Sequence, residues 1–130
     1  MGSTINPLIV ELTHGIRVSA TEWLEEALPN EHSWRVEDTV RLAGILAKHG
    51  VDFLDVSSGG NHPKAIIKGG TAYQAPFAHA VKRAVGDKLV VGSVGSIANG
   101  VVAQEVLDKG QADVILVGRF FQKNPAAVWS

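Results

Sequence analysis

The chain has 130 residues, 45% hydrophobic and 19% charged, which excludes a disordered or collagen-like polymer and allows one domain with a core. Twelve Lys and Arg against thirteen Asp and Glu leave a formal charge of −1, so there is no electrostatic footprint for nucleic acid or an acidic membrane surface. Without cysteine there is no disulfide, thiolate metal site or cysteine nucleophile.

Gly15 to Ser19 predicts the first strand, in which Arg17 sets a cation inside an apolar pattern. Such a charge needs a partner or faces solvent from an edge. Glu37 to His49 predicts a helix, because Val36, Val40, Ala43, Leu46 and Ala47 recur at helical spacing opposite Arg35, Asp38, Arg41 and Lys48. Acidic residues at its start and basic ones at its end suit the helix dipole, and Gly50 stops it. Val51 to Ser57 reads as a strand running into Ser58-Gly59-Gly60. From Ser58 to Ala75 no period is sustained; a loop of that length is either functional or a flexible insertion. Pro76 opens a second helix whose stripe is Phe77, Ala80, Val81, Ala84 and Val85, ending at Gly86. Lys88 to Val94 is a nearly unbroken apolar strand stopped at Gly95. Asn99 caps a third helix with Val102, Ala103, Val106 and Leu107 as its expected buried face and Gly110 as its stop. Ala112 to Val117 is the last strand, ending at Gly118-Arg119, and Asn124-Pro125 begins a further helix.

The order β-α-β-α-β-α-β, with strands that lack polar alternation, indicates a parallel sheet covered by helices. Two α/β arrangements fit: an open doubly wound sheet, or part of a (βα)8 barrel. The longest uncharged run, Leu89 to Gln104, is too short and too rich in Gly, Asn and Gln to span a bilayer, and no signal peptide opens the chain. The expectation is a cytoplasmic protein.

Two strand ends stand out together. Val94-Gly95-Ser96-Ile97 precedes the Asn99-Gly100 helix start, and Val117-Gly118-Arg119 follows the last strand. A glycine allows close backbone approach to a ligand, and Arg119 adds a planar donor suited to phosphate. Phosphate sites made by the last two βα loops recur in (βα)8 barrels. The histidines, His14, His32, His49, His62 and His79, form no metal-binding pattern; His62, in the long loop, is the one placed for a ligand contact. Ser57 and Ser58 lack a nucleophile elbow, and Asp52 and Asp55 have no matched partner carboxylate.

These residues in this order resemble the old yellow enzyme family of FMN-dependent oxidoreductases. The resemblance rests on Arg17-Val18-Ser19-Ala20-Thr21-Glu22-Trp23, Asp38-Thr39-Val40-Arg41-Leu42-Ala43, Gly50 to Gly59, Tyr73-Gln74-Ala75-Pro76-Phe77-Ala78, Val94-Gly95-Ser96-Ile97 and Gly118-Arg119. It is nearest to the branch of bacterial-type and fungal NADPH dehydrogenases and ene reductases. It implies the C-terminal half of a (βα)8 TIM barrel, strands 5 to 8 with three to four helices, over residues 16–130. Met1 to Gly15 matches poorly and is expected to stand apart. Arg17 would contact the flavin pyrimidine edge, and Ser57 and Gly59 would line the cofactor side of a strand end. Gly95 and Ser96 would offer N–H groups to the FMN phosphate, with Gly118 and Arg119 completing that site. The implied reaction passes a hydride from NADPH or NADH through FMN to an activated alkene. The family's substrate-gripping pair and proton-donating tyrosine would lie outside this half; Tyr73, the single tyrosine, is not in the donor's motif. The alternative is a non-catalytic half-barrel that binds phosphate ligands or serves only as an assembly partner. Either way, open sheet edges near Arg17 and Val114 imply self-association.

Overall fold

The computed structural model describes residues 13–129, so most of the segment expected to stand apart, Met1 to Gly15, lies outside the described residues. Its elements are β1 (Gly15–Ser19), α1 (Val36–Lys48), β2 (Phe53–Ser57), α2 (Ala75–Val85), β3 (Val90–Val94), α3 (Gly100–Asp108), β4 (Val114–Leu116) and α4 (Arg119–Lys123). The strands form one parallel sheet in the order β1-β2-β3-β4, with β1 and β4 at its edges. No described helix is long and apolar enough to cross a membrane.

Sequential strand order decides between the two arrangements left open by the pattern. Parallel neighbours joined by right-handed crossovers place every connecting helix on the same face, whereas a doubly wound sheet reverses its order at a switch point. The core shows the one-sided result. Leu54 and Val56 of β2 and Val91 of β3 are fully buried and pack with Ala43 of α1, Ala78, Val81 and Val85 of α2, and Val106 of α3. The alternate residues point to the other face. There the register aligns Arg17 with Asp55, Asp55 with Gly92, and Gly92 with Val114. Val90 and Val114 on that face are 43% and 40% exposed. This is a run of consecutive βα units from a partial barrel.

Local chemistry explains the element ends. Asp38 accepts the Arg35 N–H at 3.0 Å and closes the first turn of α1. Asn99 Oδ1 accepts the Val102 N–H at 2.9 Å, the cap expected for α3. Asp52 takes the His14 N–H at 2.9 Å, and Asp113 takes the Val91 N–H at 2.9 Å and pairs with Lys82. These two carboxylates tie strand starts together, work not visible in the sequence pattern.

Three expectations are corrected. The last helix starts at Arg119 and has ended by Asn124. Pro125 disfavours helical geometry at the residue before it, so Asn124-Pro125 ends an α-helix and begins only a single 3-10 turn, Ala127–Trp129, with Asn124 Oδ1 accepting the Ala126 N–H at 3.1 Å. On α1, Thr39 is buried beside Ala43, because its hydroxyl donates to Ala20 O at 3.0 Å and accepts the Trp34 indole N–H at 2.7 Å. On α3 only Val106 is buried, since that helix covers the edge strand β4, and Leu107 is 36% exposed.

Leu54→Ala is expected to cost about 3 kcal/mol by leaving a cavity under α1 and α2. Val101→Ala, at a position 70% exposed, is expected to stay within about 0.5 kcal/mol. Urea unfolding followed by circular dichroism measures both.

Candidate functional site

All four strands point the same way, so their carboxyl ends share one rim of the sheet. On this rim, between the ends of β3 and β4, lies a cavity of about 480 Å³. Gly95, Ser96, Ile97 and Ala98 form one wall, and Val117, Gly118, Arg119 and Phe120 the other, with Lys123 one turn along α4. The four residues proposed from sequence for a phosphate are therefore brought together. Lys123 adds a second cation that the motif reading missed; its place four residues after Arg119 on one helix is the signal that could have found it.

The backbone here is unusual. Gly95 has φ +107°, and Ser96, a residue with a Cβ, has φ +53°. Left-handed geometry away from glycine is sustained only where surroundings impose it, and such residues cluster at ligand sites. Ala72, at φ +50°, donates its N–H to Ser96 O at 3.3 Å. A Cβ on Gly95 would stand 2.4 Å from the Gln74 amide nitrogen and 3.1 Å from the Tyr73 ring. The end of the long loop is thus packed onto the Gly95–Ser96 turn, which makes that stretch of loop structural.

In the sequence Gln74 stands only within the Tyr73-Gln74-Ala75-Pro76 stretch; in the structure its side chain bridges loops. It is 2% exposed and joins three chain segments. The Trp23 indole N–H donates to Ser58 Oγ at 2.9 Å, the Ser58 hydroxyl donates to Gln74 Oε1 at 2.6 Å, and Gln74 Nε2 donates to Val94 O at 2.7 Å. Trp23 also packs edge-on against Phe77, with ring centroids 5.4 Å apart.

The remaining predicted residues lie elsewhere on the same rim or face. Arg17 is two strands from the cavity. Its Nε donates to Asp55 Oδ2 across the register of β1 and β2, which answers the need for a partner. Arg17's side chain is 61% exposed and Asp55's is 4% exposed. The other carboxylate oxygen, Asp55 Oδ1, is buried with no hydrogen-bond partner among the described residues. Asp55, which the sequence alone suits to orienting a neighbouring loop, instead orients Arg17 on the adjacent strand; equal spacing, Arg17 two before Ser19 and Asp55 two before Ser57, is the signal that links them. Ser57 ends β2 on the Asp55 face. Gly59 has φ +68° and packs inward, where Ile67 and Trp23 side chains occupy the space of a Cβ. His62, the histidine singled out for a ligand, has Nδ1 accepting the Lys64 N–H at 3.1 Å in a local turn. No metal-binding group occurs among the described residues.

A phosphate monoester suits this cavity: two cationic side chains stand beside a glycine turn that lets backbone approach closely. No protein-family model matches the chain. It is 52% identical over 121 residues to an NADH:flavin oxidoreductase of Gibberella zeae, covering 87% of this chain and 29% of that protein. It is 36% identical over 110 residues to the NADPH dehydrogenase of a Geobacillus species, covering 85% of this chain and 30% of the relative. An NADPH dehydrogenase of Listeria monocytogenes is 36% identical over 112 residues. The chain spans about three-tenths of the length of these curated relatives. Over that span its sequence is similar to parts of proteins named NADH:flavin oxidoreductase and NADPH dehydrogenase.

Arg17→Met leaves the Asp55 carboxylate buried and unpaired. The expected cost is about 2 kcal/mol, less than for a fully buried pair because the guanidinium is largely exposed. Arg41→Met, which removes an exposed pair with Asp38, is expected to cost less than about 1 kcal/mol. Urea midpoints of the two variants make the comparison.

Proposed function

We propose that this homologue of part of the NADH:flavin oxidoreductases and NADPH dehydrogenases is an FMN-binding segment of an NAD(P)H oxidoreductase, with residues 16–130 supplying strands 5 to 8 of a (βα)8 barrel. The observation that carries the reading is the convergence of Gly95, Ser96, Gly118 and Arg119 on one cavity at the carboxyl ends of adjacent strands. FMN, when bound, supplies hydride transfer between NADPH or NADH and an activated alkene.

The chain's own residues bind and orient. Arg119 and Lys123 would hold the phosphate by charge, and the Gly95–Ser96 and Gly118 backbone would offer it close approach. Arg17, fixed through Nε by Asp55, keeps the rest of its guanidinium toward the open face of the sheet. There it would hold the pyrimidine edge of bound FMN and would favour negative charge on it. Ser57, on the Asp55 face at the end of β2, and the Gly59 turn after it would line the cofactor side of that strand end. The protein acts in the cytoplasm. Its two open edges, β1 and β4, pair with strands of another copy.

Titration of the 130-residue chain with FMN, followed by flavin fluorescence, is expected to saturate, and riboflavin, which lacks the phosphate, to bind far more weakly. Arg119→Ala should weaken FMN binding about tenfold or more, the scale of one charge-assisted hydrogen bond. Unchanged affinity would remove the phosphate assignment. Sedimentation velocity should show dimers or larger species, and a clean monomer would contradict the edge pairing.

A further inference from the structure

The side chain of Gln74 lies outside the phosphate cavity yet controls the backbone that lines it. We infer that Gln74 is a positioning residue that sets the Gly95–Ser96 turn for the phosphate group, a role that rests on the FMN reading above.

Gln74 occupies the N-cap position immediately before α2, but its side chain makes no capping bond to that helix. Both of its hydrogen bonds cross to other segments instead, and their direction is fixed from the ends. An indole N–H can only donate and a main-chain carbonyl can only accept. The Trp23 indole therefore makes Ser58 Oγ an acceptor, leaving the Ser58 hydroxyl proton to point at Gln74 Oε1. That in turn directs the Gln74 NH₂ at Val94 O. Only one orientation of the amide satisfies the relay.

The carbonyl it holds belongs to the Val94–Gly95 peptide, the last before the chain enters the two left-handed residues. A trans peptide is planar, with its C=O and N–H pointing in opposite directions. Gln74 reaches Val94 from the side of Ser58, at the end of β2. The other edge of the same peptide, the Gly95 N–H, is therefore turned toward β4, the side on which the cavity lies. Without that clamp the turn keeps only the weaker hold of the Ala72 N–H on Ser96 O, at 3.3 Å, and the Val94–Gly95 peptide plane loses its own anchor. The absent Cβ of Gly95 belongs to the same arrangement, since any side chain there would collide with the Gln74 amide.

Gln74→Met keeps length and apolar bulk but removes both hydrogen bonds. In the full 130-residue chain it is expected to weaken FMN binding about tenfold, with an unchanged far-UV circular dichroism spectrum. The ratio of FMN to riboflavin affinity should fall with it, whereas general loosening of the rim would leave that ratio unchanged. Competition of bound FMN by inorganic phosphate should weaken in parallel. Ser58→Ala leaves the amide bonded to Val94 but removes its orienting donor, and a loss of about threefold is expected. If Gln74→Met does not fold, the Ser58→Ala ratio decides. A folded Gln74→Met chain with the parent's preference for FMN overturns the positioning role and leaves the phosphate site standing. A parent chain that binds FMN and riboflavin alike overturns both.

Discussion

Every feature of the rim depends on one constraint: four parallel strands in chain order, an arrangement whose crossovers take the right hand as a general rule. That topology sends all helices to one face and all carboxyl strand ends to one rim. Ser58, Gln74, Gly95 and Arg119 are far apart along the chain, yet each follows a strand or opens the helix leading to the next, so they meet. The same constraint leaves the second face of the sheet without helical cover. Among the described residues the outer strands β1 and β4 each have one neighbour in the sheet, which is the physical reason self-association is proposed for this stretch.

The uncovered face is ordered nonetheless. Gly92 lies between Asp55 and Val114 in the register, and the space a side chain would take is occupied by Phe53 and Leu116. Beside this apolar filling stands the Arg17–Asp55 pair, one partner buried and the other largely exposed. A carboxylate in that position is stable because a cation holds it, and the cation is steered because the carboxylate holds its Nε. The pair therefore belongs to stability and orientation together. Among the described residues, the three with a Cβ and positive φ, Trp23, Ala72 and Ser96, all sit at the rim. They mark where packing between loops overrides local backbone preference. The Trp23–Ser58–Gln74–Val94 relay is part of what imposes that geometry.

Much of this was legible in the residues. Hydrophobic period and glycine stops located β1 to β4 and α1 to α3 to within a few residues, because helix and strand periods are properties of the chain alone. The glycine–serine and glycine–arginine pairs after β3 and β4 were legible for a related reason: each is contiguous, and its place at a strand end needs no long-range information. Asp55, Lys123 and Gln74 were not legible in the same way. Each acts on a residue brought near by the sheet, α4 or the long loop, and the sequence separation between Gln74 and Val94 carries no periodic signal.

The sequence by itself determined the βα rhythm, the parallel sheet and the glycine and arginine positions open to an anion. Those follow from local periodicity, backbone freedom and side-chain charge. Only the tertiary structure decided that the helices lie on one face, that Arg17 answers to Asp55, and that the long loop returns to clamp the Gly95–Ser96 turn. Those outcomes turn on crossover hand, strand register and the direction of buried hydrogen bonds, quantities that exist only once distant segments are side by side.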